Sequence, residues 1–364
     1  MTRAPRPTEG VSVCVINFEG ADCLPRTLDA AGHGHGCVDE LILVDSASSD
    51  RSREIVAARF PHVRVIALAE NRGPATARNH GYAAARHDRV VFIDHDVVVE
   101  AECVARLLEA LAEDDQAVVA LPRVLFAAEP DVVQFEGADA HFLGLMALRL
   151  AGVRNSARNG ATAPGRTTPV GSMVSACFAL HKGRWGPEPP FDGSFRFNYE
   201  DHDFGVRCRA RGFHIVAVPG ASCLHGEGTP GLSLRDSRAY PRARVGHLVK
   251  GRWVILLKCF QLRTLIWLAP ALLVYEACQL VLVIRRRWLR EWIGASGEIV
   301  LELRSILEKR RAVQRVRQLP DRALLTGGPL PLRADFPSGR WERLGLGLLE
   351  RFSTAYWRLV RRAL

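Results

Sequence analysis

Short apolar runs alternate with helix-like stretches through the first two thirds of the chain. In order, the runs are VSVCVINF, ELILVD, VRVIALAE and RVVFID, and polar or amphipathic segments separate them. This alternation predicts a mostly parallel sheet with helices on both faces, which is an α/β fold. Ligands of such sheets bind outside the carboxyl ends of the strands. The chain is 48% hydrophobic and 24% charged, which excludes bulk disorder.

Later segments extend this pattern and then change character. AVVALPRVLF, MVSACFALHK and FHIVAVPG predict further strands, and YEDHDFGVRCRARG predicts a helix ended by Gly212. Residues 152–171 are rich in Gly, Ser, Thr, Asn and Pro, which indicates a loop or lid. We therefore expect a disordered lead-in over 1–10, an α/β domain over 11–234 and a basic, apolar helical region over 235–364.

Charge and cysteine usage limit the partners and the compartment. The chain carries 49 Lys and Arg against 39 Asp and Glu, a net charge of +10, and residues from Arg235 onward are dense in arginine. An anionic partner is favoured. The nine cysteines form no CxxC pair, which indicates reduced thiols in a cytoplasmic compartment. An apolar run beside the arginines suits a phospholipid surface better than nucleic acid.

That apolar run, residues 262–284, has the length of a membrane segment but contains Pro270 and Glu276 and has basic residues on both sides. Three alternatives remain open: a single span, a re-entrant or in-plane segment, and a buried soluble helix. If it meets lipid, truncation at about Arg235 should give a more soluble chain.

Two carboxylates interrupt an apolar pattern at VVFIDHDVVVE. Asp94 and Asp96 flank His95 where the strand pattern loses its regularity. Buried carboxylates need a positive partner, and a hard divalent cation that keeps positions for substrate phosphates would supply one. The alternative is a solvated loop with chance acids, which the flanking apolar runs argue against.

A second acidic cluster, Glu200, Asp201 and Asp203, stands at a predicted helix start. Acids there can simply complement the helix dipole, or one can act as a general base. His225 ends a third strand, and a lone histidine is more often structural than a ligand. The stretch NRGPATARNHG could present backbone N–H groups and Arg72 or Arg78 to an anion. Neither a P-loop nor a GxGxxG motif occurs.

Six segments stand in a fixed order over 11–228: VSVCVINFEG, LILVDSASSD, NRGPATARNHG, FIDHD, FDGSFRFNYEDHDFGVRCRARGF and VPGASCLHGEG. This ordered set resembles the inverting glycosyltransferases of family 2, with the GT-A fold. Phe18-Glu19 stands where the family often has Tyr-Asn, and His95 is an unusual middle residue of the Asp-x-Asp motif. The processive QxxRW motif is absent from the sequence. The tail resembles that of membrane-associated bacterial members.

The resemblance implies roles for individual residues. Asp94, Asp96 and His225 would hold Mn²⁺ or Mg²⁺, and Asp201 would be the catalytic base, supported by Glu200 and Asp203. Donor contacts are implied for Asn17, Phe18, Asp45, Gly73, Arg78 and Asp94. The implied reaction moves a sugar from a UDP- or dTDP-sugar to a hydroxyl of a lipid-linked or cell-envelope glycan, at the cytoplasmic face of the membrane.

Two alternatives belong to other classes. DHDVV also fits the nucleophile motif of haloacid-dehalogenase-type phosphotransferases, although that motif normally follows the first strand and here three strands precede it. A membrane-bound sugar-binding protein without turnover would keep the fold but has no need of Asp96, Asp201 and His225.

Overall fold

Ten strands form one sheet in the computed structural model, which describes residues 10–32, 37–155, 167–226, 241–331 and 339–364. The strands of this sheet are β1 (Val11–Asn17), β2 (Glu40–Asp45), β3 (Arg64–Ala67), β4 (Arg89–Asp94), β5 (Val97–Val99), β6 (Ala117–Phe126), β7 (Val133–Phe135), β10 (Thr168–Pro169), β11 (Cys177–His181) and β12 (His214–His225). Two further short strands, β8 (Ala138–His141) and β9 (Met146–Leu148), lie between β7 and β10 in the chain.

The strand order divides the large sheet into a parallel half and a mixed half. The order is β10-β12-β6-β11-β4-β1-β2-β3, with β5 pairing with β12 and β7 with β6. From β3 to β4 all neighbours are parallel, as predicted. β11 runs antiparallel to both β4 and β6, so the other half of the sheet is mixed. A fully apolar strand carries no signal for its direction, which is why the sequence pattern did not reveal this reversal.

Helices cover both faces of the sheet. In chain order they are α1 (Leu24–Gly32), α2 (Ser52–Arg59), α3 (Pro74–Ala84), α4 (Cys103–Glu113), α5 (Lys182–Trp185) and α6 (Glu200–Ala210). Val13 and Val15 of β1 share a core with α1, α2 and α4, whereas Cys14 and Ile16 share a core with α3 and α6. Successive strand residues point to opposite faces, so a fully apolar strand serves both layers.

The C-terminal region is helical and packs onto this α/β unit. Its elements are α7 (Arg242–Cys259), α8 (Leu262–Arg285), α9 (Leu289–Leu301), α10 (Leu303–Arg315), α11 (Asp321–Leu324), β13 (Leu325–Thr326) and α12 (Arg340–Val360). β13 pairs with β8, which also pairs with β9, so the C-terminal region contributes one strand to a second, three-stranded sheet. Phe195 and Tyr199 share one apolar core with Ile255 and Leu256 of α7. The two regions are therefore joined by a common core.

Several predicted boundaries fall outside the described residues. This applies to the lead-in up to residue 9, to the boundary at 234/235 and to 156–166 of the predicted loop. The predicted apolar segment corresponds to α8, which is one residue longer than expected. Among the described residues, α8 is the helix long and apolar enough to cross a membrane, judged by length and composition. Of its apolar window, 28% is buried, so α8 is not fully enclosed by the described residues.

Candidate active site

Three polar side chains stand where neighbouring parallel strands end. Asp94 of β4 lies beside Ile16 of β1, and Asn17 of β1 lies beside Asp45 of β2. Since parallel strands finish at the same edge, the three side chains are neighbours although they are far apart in sequence. The strand pattern predicted this edge.

Asp94 is held by a buried arginine. Arg78 of α3 is 1% exposed, and its Nη2 lies 2.7 Å from Asp94 Oδ1. The same guanidinium reaches Glu200 Oε1 at 3.4 Å and the Ser175 carbonyl at 3.0 Å. Burial raises the pKa of the Asp94 carboxyl, and Arg78 opposes this shift. Arg78 therefore links the Asp-x-Asp stretch to α6 and lies beneath the edge of the sheet.

Asp96 and His225 meet because of strand pairing. β5 follows Asp96 directly and runs antiparallel to the end of β12, with Val97 opposite His225. The Gly226 N–H also donates to the Asp96 carbonyl at 2.8 Å. As a result, His225 Nε2 lies 3.5 Å from Asp96 Oδ1, and both side chains are buried. The structure therefore brings the histidine at the end of β12 next to the second aspartate of the Asp-x-Asp stretch.

This pair fits a divalent cation. His225 Nδ1 is 2.8 Å from Gln134 Oε1, so Nδ1 is the natural position for the ring proton and Nε2 turns a lone pair toward Asp96. An imidazole nitrogen facing a carboxylate oxygen is a donor pair that suits Mn²⁺, with Gln134 orienting the ring. Within the described residues, no group of three or more His, Cys, Asp and Glu side chains is arranged to hold a metal ion.

Helix α6 brings two more carboxyls to the same place. Its first residues are Glu200 and Asp201, and both side chains are buried. Burial and the charge of Asp201 raise the pKa of Glu200 to about 7, against the opposing effect of Arg78. Burial also raises the pKa of Asp201, although the backbone N–H groups of His202 and Ser175 donate to its carboxylate. These two carboxyls and Asp94 share one arginine, so the group carries a surplus of negative charge when all three are ionised, and a bound cation would neutralise it.

The third acid of α6 faces elsewhere. Asp203 is fully buried and pairs with Arg207 at 2.8 Å and with Lys258 of α7 at 2.6 Å. Burial would raise the pKa of Asp203, but these two cations outweigh it and lower the pKa. Its position is explained by the packing of α6 against α7.

Asn17 and Asp45 form a buried hydrogen-bond network at the ends of β1 and β2. Asn17 Nδ2 donates to Asp45 Oδ1 at 2.8 Å, and the Ser48 hydroxyl donates to the same oxygen at 2.6 Å. Both side chains are completely buried, whereas Phe18 is half-buried. Asn17 Oδ1 is buried without a hydrogen-bond partner in the structure. The network fixes the turn after β2 beside the expected base-binding position.

Gly73 opens α3 at a point where no side chain fits. Its φ is +91°, and a Cβ built there would lie 2.0 Å from the Arg196 carbonyl oxygen. The loop before α6 therefore rests against the start of α3. This contact and the Arg78–Glu200 pair fix the distance between the two helices.

Sequence reasoning missed three contributors to the site. Gln134 orients His225, Ser175 bonds both Arg78 and Asp201, and Ser48 completes the Asp45 network. Ser48 lies in LILVDSASSD, one of the six ordered segments already recognised in the sequence. Gln134 and Ser175 gave no local signal, since their partners lie far away in the chain.

Comparison with known proteins shows which family the chain resembles. The profile described as "Glycosyl transferase family 2" matches residues 12–169. The match covers a little under half of the chain, so it identifies a family 2 segment within it. This confirms the resemblance seen in the sequence and includes the Asp-x-Asp stretch, and it removes the support for a dehalogenase-type fold. The family 2 match ends before Glu200, Asp201 and His225.

One curated relative and two solved structures place the family 2 segment in context. The succinoglycan biosynthesis protein ExoO of Rhizobium meliloti (strain 1021) is 34% identical over 100 residues, which are 27% of this chain and 29% of that relative. The crystal structure of GalNAc-T7 with UDP, GalNAc and Mn²⁺ covers 66% of this chain and 48% of its own, with 16% identity and a TM-score of 0.50. This similarity supports the GT-A-like fold.

The second solved structure is the mannosyltransferase PcManGT from Pyrobaculum calidifontis in complex with GDP-Man and Mn²⁺. It covers 98% of this chain and 91% of its own, with 16% identity and a TM-score of 0.45.

Proposed function

We propose that the chain is a metal-dependent, inverting glycosyltransferase. It would move a sugar from a UDP- or dTDP-sugar to a hydroxyl of a lipid-linked or cell-envelope glycan. The observation that carries this proposal is the Arg78 bridge, with Nη2 2.7 Å from Asp94 and Nη1 3.4 Å from Glu200. It joins the Asp-x-Asp edge of the family 2 segment to the acids of α6 in one site.

Asp201 is the proposed catalytic base. Its carboxylate accepts the proton of the acceptor hydroxyl while the acceptor oxygen bonds to the anomeric carbon and the bond to the nucleoside diphosphate breaks. One displacement inverts the configuration and needs no enzyme nucleophile. A raised pKa brings a carboxylate closer to the basicity that proton transfer at neutral pH requires. Glu200, bonded to Arg78, would position α6.

Asp96 and His225 are the proposed protein ligands of Mn²⁺ or Mg²⁺, with Asp94 at the same edge. When bound, such an ion supplies positive charge against the leaving diphosphate. Gln134 holds the imidazole for this purpose, and Arg78 holds Asp94. Asn17, Phe18 and Asp45 would belong to the base pocket, whereas Gly73 and Arg78 would support it from beneath. GalNAc-T7, whose fold is similar, was solved with UDP, GalNAc and Mn²⁺ bound.

The proposed location is the cytoplasmic face of the cell membrane, next to an anionic surface. The exposed apolar helix α8 supports this, as does the basic character of the chain from Arg235 onward. The curated relative is a succinoglycan biosynthesis protein, which supports a polysaccharide acceptor. A non-catalytic sugar-binding protein is the remaining alternative, and donor turnover separates the two.

The test compares Asp201→Asn with Glu200→Gln after a donor panel has been screened by thermal shift with Mn²⁺. A stabilising donor identifies the nucleotide through linkage. Asp201→Asn should then abolish transfer and leave the donor-induced shift intact, while Glu200→Gln should retain partial transfer. Near-normal turnover in Asp201→Asn would remove Asp201 from the role of base. A chain that binds the donor and never turns it over would favour the sugar-binding alternative.

A further inference from the structure

Helices α8 and α12 run antiparallel along their whole lengths. At one end of the pair, Arg263 Nη2 of α8 donates to the Ala363 carbonyl just after α12, at 3.0 Å. Nearby, the Tyr356 hydroxyl donates to the Trp267 carbonyl at 2.6 Å. At the opposite end, Arg286 just after α8 pairs with Glu342 of α12 at 2.8 Å. The two helices therefore form one unit, which we call the α8/α12 pair.

The α8 member exposes a single apolar stripe. Leu262, Ile266, Leu273, Val281 and Ile284 are each between 56% and 71% exposed. At about 100° per residue these positions lie within an arc of about 100°, which widens to about 140° when the exposed Trp267 and Val274 are included. The opposite side of α8 already packs against other parts of the chain. The stripe is therefore not needed for the internal core.

Helix α12 carries a matching stripe that the apolar composition of the sequence did not reveal. Trp341, Leu344, Leu348, Phe352 and Leu359 are between 37% and 74% exposed. Their spacing places them within an arc of about 80°. Two adjacent helices thus present exposed large apolar side chains, which marks an interaction surface.

The charge distribution along the chain indicates the kind of partner that this surface binds. Residues 241–364 carry 24 Lys and Arg against nine Asp and Glu, a net charge of +15, whereas residues 1–240 have a net charge of −5. Arg285, Arg286 and Arg287 follow the α8 stripe, and Arg361 and Arg362 follow the α12 stripe. Apolar stripes bordered by arginine are the composition of helices that lie in an anionic lipid interface.

The contacts of the α8/α12 pair argue against a crossing. If α8 spanned the bilayer, α12 would lie beside it with Glu350 and Arg351 near its middle, where each charge is costly. Glu276, in the middle of α8, pairs with Arg252 of α7, and Arg252 also donates to the Leu143 carbonyl at 2.6 Å. A crossing would therefore pull the helical region and part of the α/β unit into the lipid.

We propose that the α8/α12 pair lies flat in the headgroup region of an anionic bilayer, with both apolar stripes in the lipid and both ends of α8 on the cytoplasmic side. This rests on and deepens the membrane location proposed above, and it selects the in-plane topology from the three that the sequence left open. It does not depend on sugar transfer.

Vesicle binding of the full chain tests the surface. With phosphatidylglycerol–phosphatidylcholine vesicles, Leu273→Glu and Leu348→Glu should each weaken binding at least tenfold, and high salt should weaken it further. Val65→Glu, at an exposed valine on β3, is the matched control and should bind as the original chain does. Equal binding by all three variants would overturn the proposal. So would a concentration-dependent dimer that Leu273→Glu abolishes while vesicle binding persists, because the surface would then belong to a second copy.

Labelling tests the topology. Cys278 is exposed on α8 and is replaced by Ser, and one cysteine at a time is then introduced as Arg263→Cys or Arg285→Cys, at exposed arginines that lie outside the α8 stripe at opposite ends of the helix. In membrane vesicles of known orientation, an impermeant maleimide should reach both positions from the cytoplasmic side, with the Cys278→Ser chain as background. Labelling of the two positions from opposite sides would establish a span and overturn the proposal. Donor-induced thermal shifts should be unchanged in every variant, so a failure here is separable from a failure of the proposed transferase activity.

Discussion

Lys258 Nζ lies 2.6 Å from Asp203 Oδ1, and both side chains are buried. The same ammonium is 2.7 Å from Asp192 Oδ2, and Lys309 reaches the other oxygen of Asp192 at 2.7 Å. Burial would raise the pKa of Asp192, but the two lysines outweigh it and lower the pKa well below its usual range. The helical region thus holds α6, the helix that carries Glu200 and Asp201, through paired charges.

Removing Lys258 should destabilise the protein strongly. Lys258→Met leaves the buried Asp203 and the half-buried Asp192 with less compensation, which costs about 3–5 kcal/mol. Lys309→Met removes a partly exposed partner of Asp192 and should cost about 1 kcal/mol or less. Urea unfolding of both variants at neutral pH measures the contrast. Equal losses of unfolding free energy in the two variants would show that Lys258 is not the main charge that holds α6 to the helical region.

Removing the helical region should make the chain less soluble, whereas the sequence alone predicted a more soluble chain. A chain ending at residue 234 loses Lys258 and the α7 side chains that cover Phe195, Tyr199 and Val206. We expect it to be less soluble than the full chain in detergent, and to lack a cooperative thermal transition. A soluble, cooperatively folded 1–234 chain would show that the α/β unit does not need the shared core.

Glu200 should make stability depend on pH. Its pKa is about 7 in the folded protein and about 4.5 when unfolded, so its favourable contribution is complete below pH 4.5 and is lost as the pH rises to 7. Relative to Glu200→Gln, the original chain should lose about 3 kcal/mol across that window. Denaturant unfolding in EDTA measures the difference. Asp203→Asn is the control of opposite sign, since a lowered pKa gives stability that is lost toward acidic pH.

The strand pattern predicted the edge of the site, because apolar runs and their ends are local features. Asp45 and Asp94 were both placed at strand ends from sequence, and the structure puts them on neighbouring positions of one edge. The meeting of Asp96 and His225 depends on antiparallel pairing of β5 with β12, far apart in the chain. Only the order of family motifs indicated it.

Arg78 and Lys258 show what local reasoning overlooked. Arg78 was interpreted as facing an anionic ligand, yet Glu200, its partner, lies 122 residues away. Lys258 is one of the basic residues on the N-terminal side of the predicted membrane segment, 262–284, and in the sequence it was not distinguished from the others. Both are single charges inside small or apolar helical stretches, the same signal that drew attention to Asp94. A charge in an apolar run predicts burial with a partner, but the identity of the partner requires the fold.

The close approach of Gly73 to Arg196 predicts a sensitive position. Gly73→Ala introduces a Cβ 2.0 Å from a carbonyl oxygen at a φ of +91°. Gly152→Ala is the matched control, because its φ is +76° but nothing lies within 4 Å. The control should lose about 1 kcal/mol from backbone strain alone, and Gly73→Ala should lose about 1–3 kcal/mol more from overlap. Thermal unfolding compares them, and equal losses would show that the loop before α6 moves aside freely.

The orientation of His225 gives a test of the metal site that does not rely on sugar transfer. Gln134→Leu removes the acceptor for the Nδ1 proton, so the imidazole loses its preferred orientation, and Mn²⁺-dependent donor binding should fall about 10-fold or more. Asp96→Ala should weaken it further, because a ligand itself is removed. Gln116→Leu, at an exposed glutamine, is the control. Calorimetry with the donor, in Mn²⁺ and in EDTA, makes the comparison. Donor affinity that is the same in Mn²⁺ and EDTA for the original chain would defeat the assignment, since Asp96 and His225 would then pair with each other for structural reasons alone.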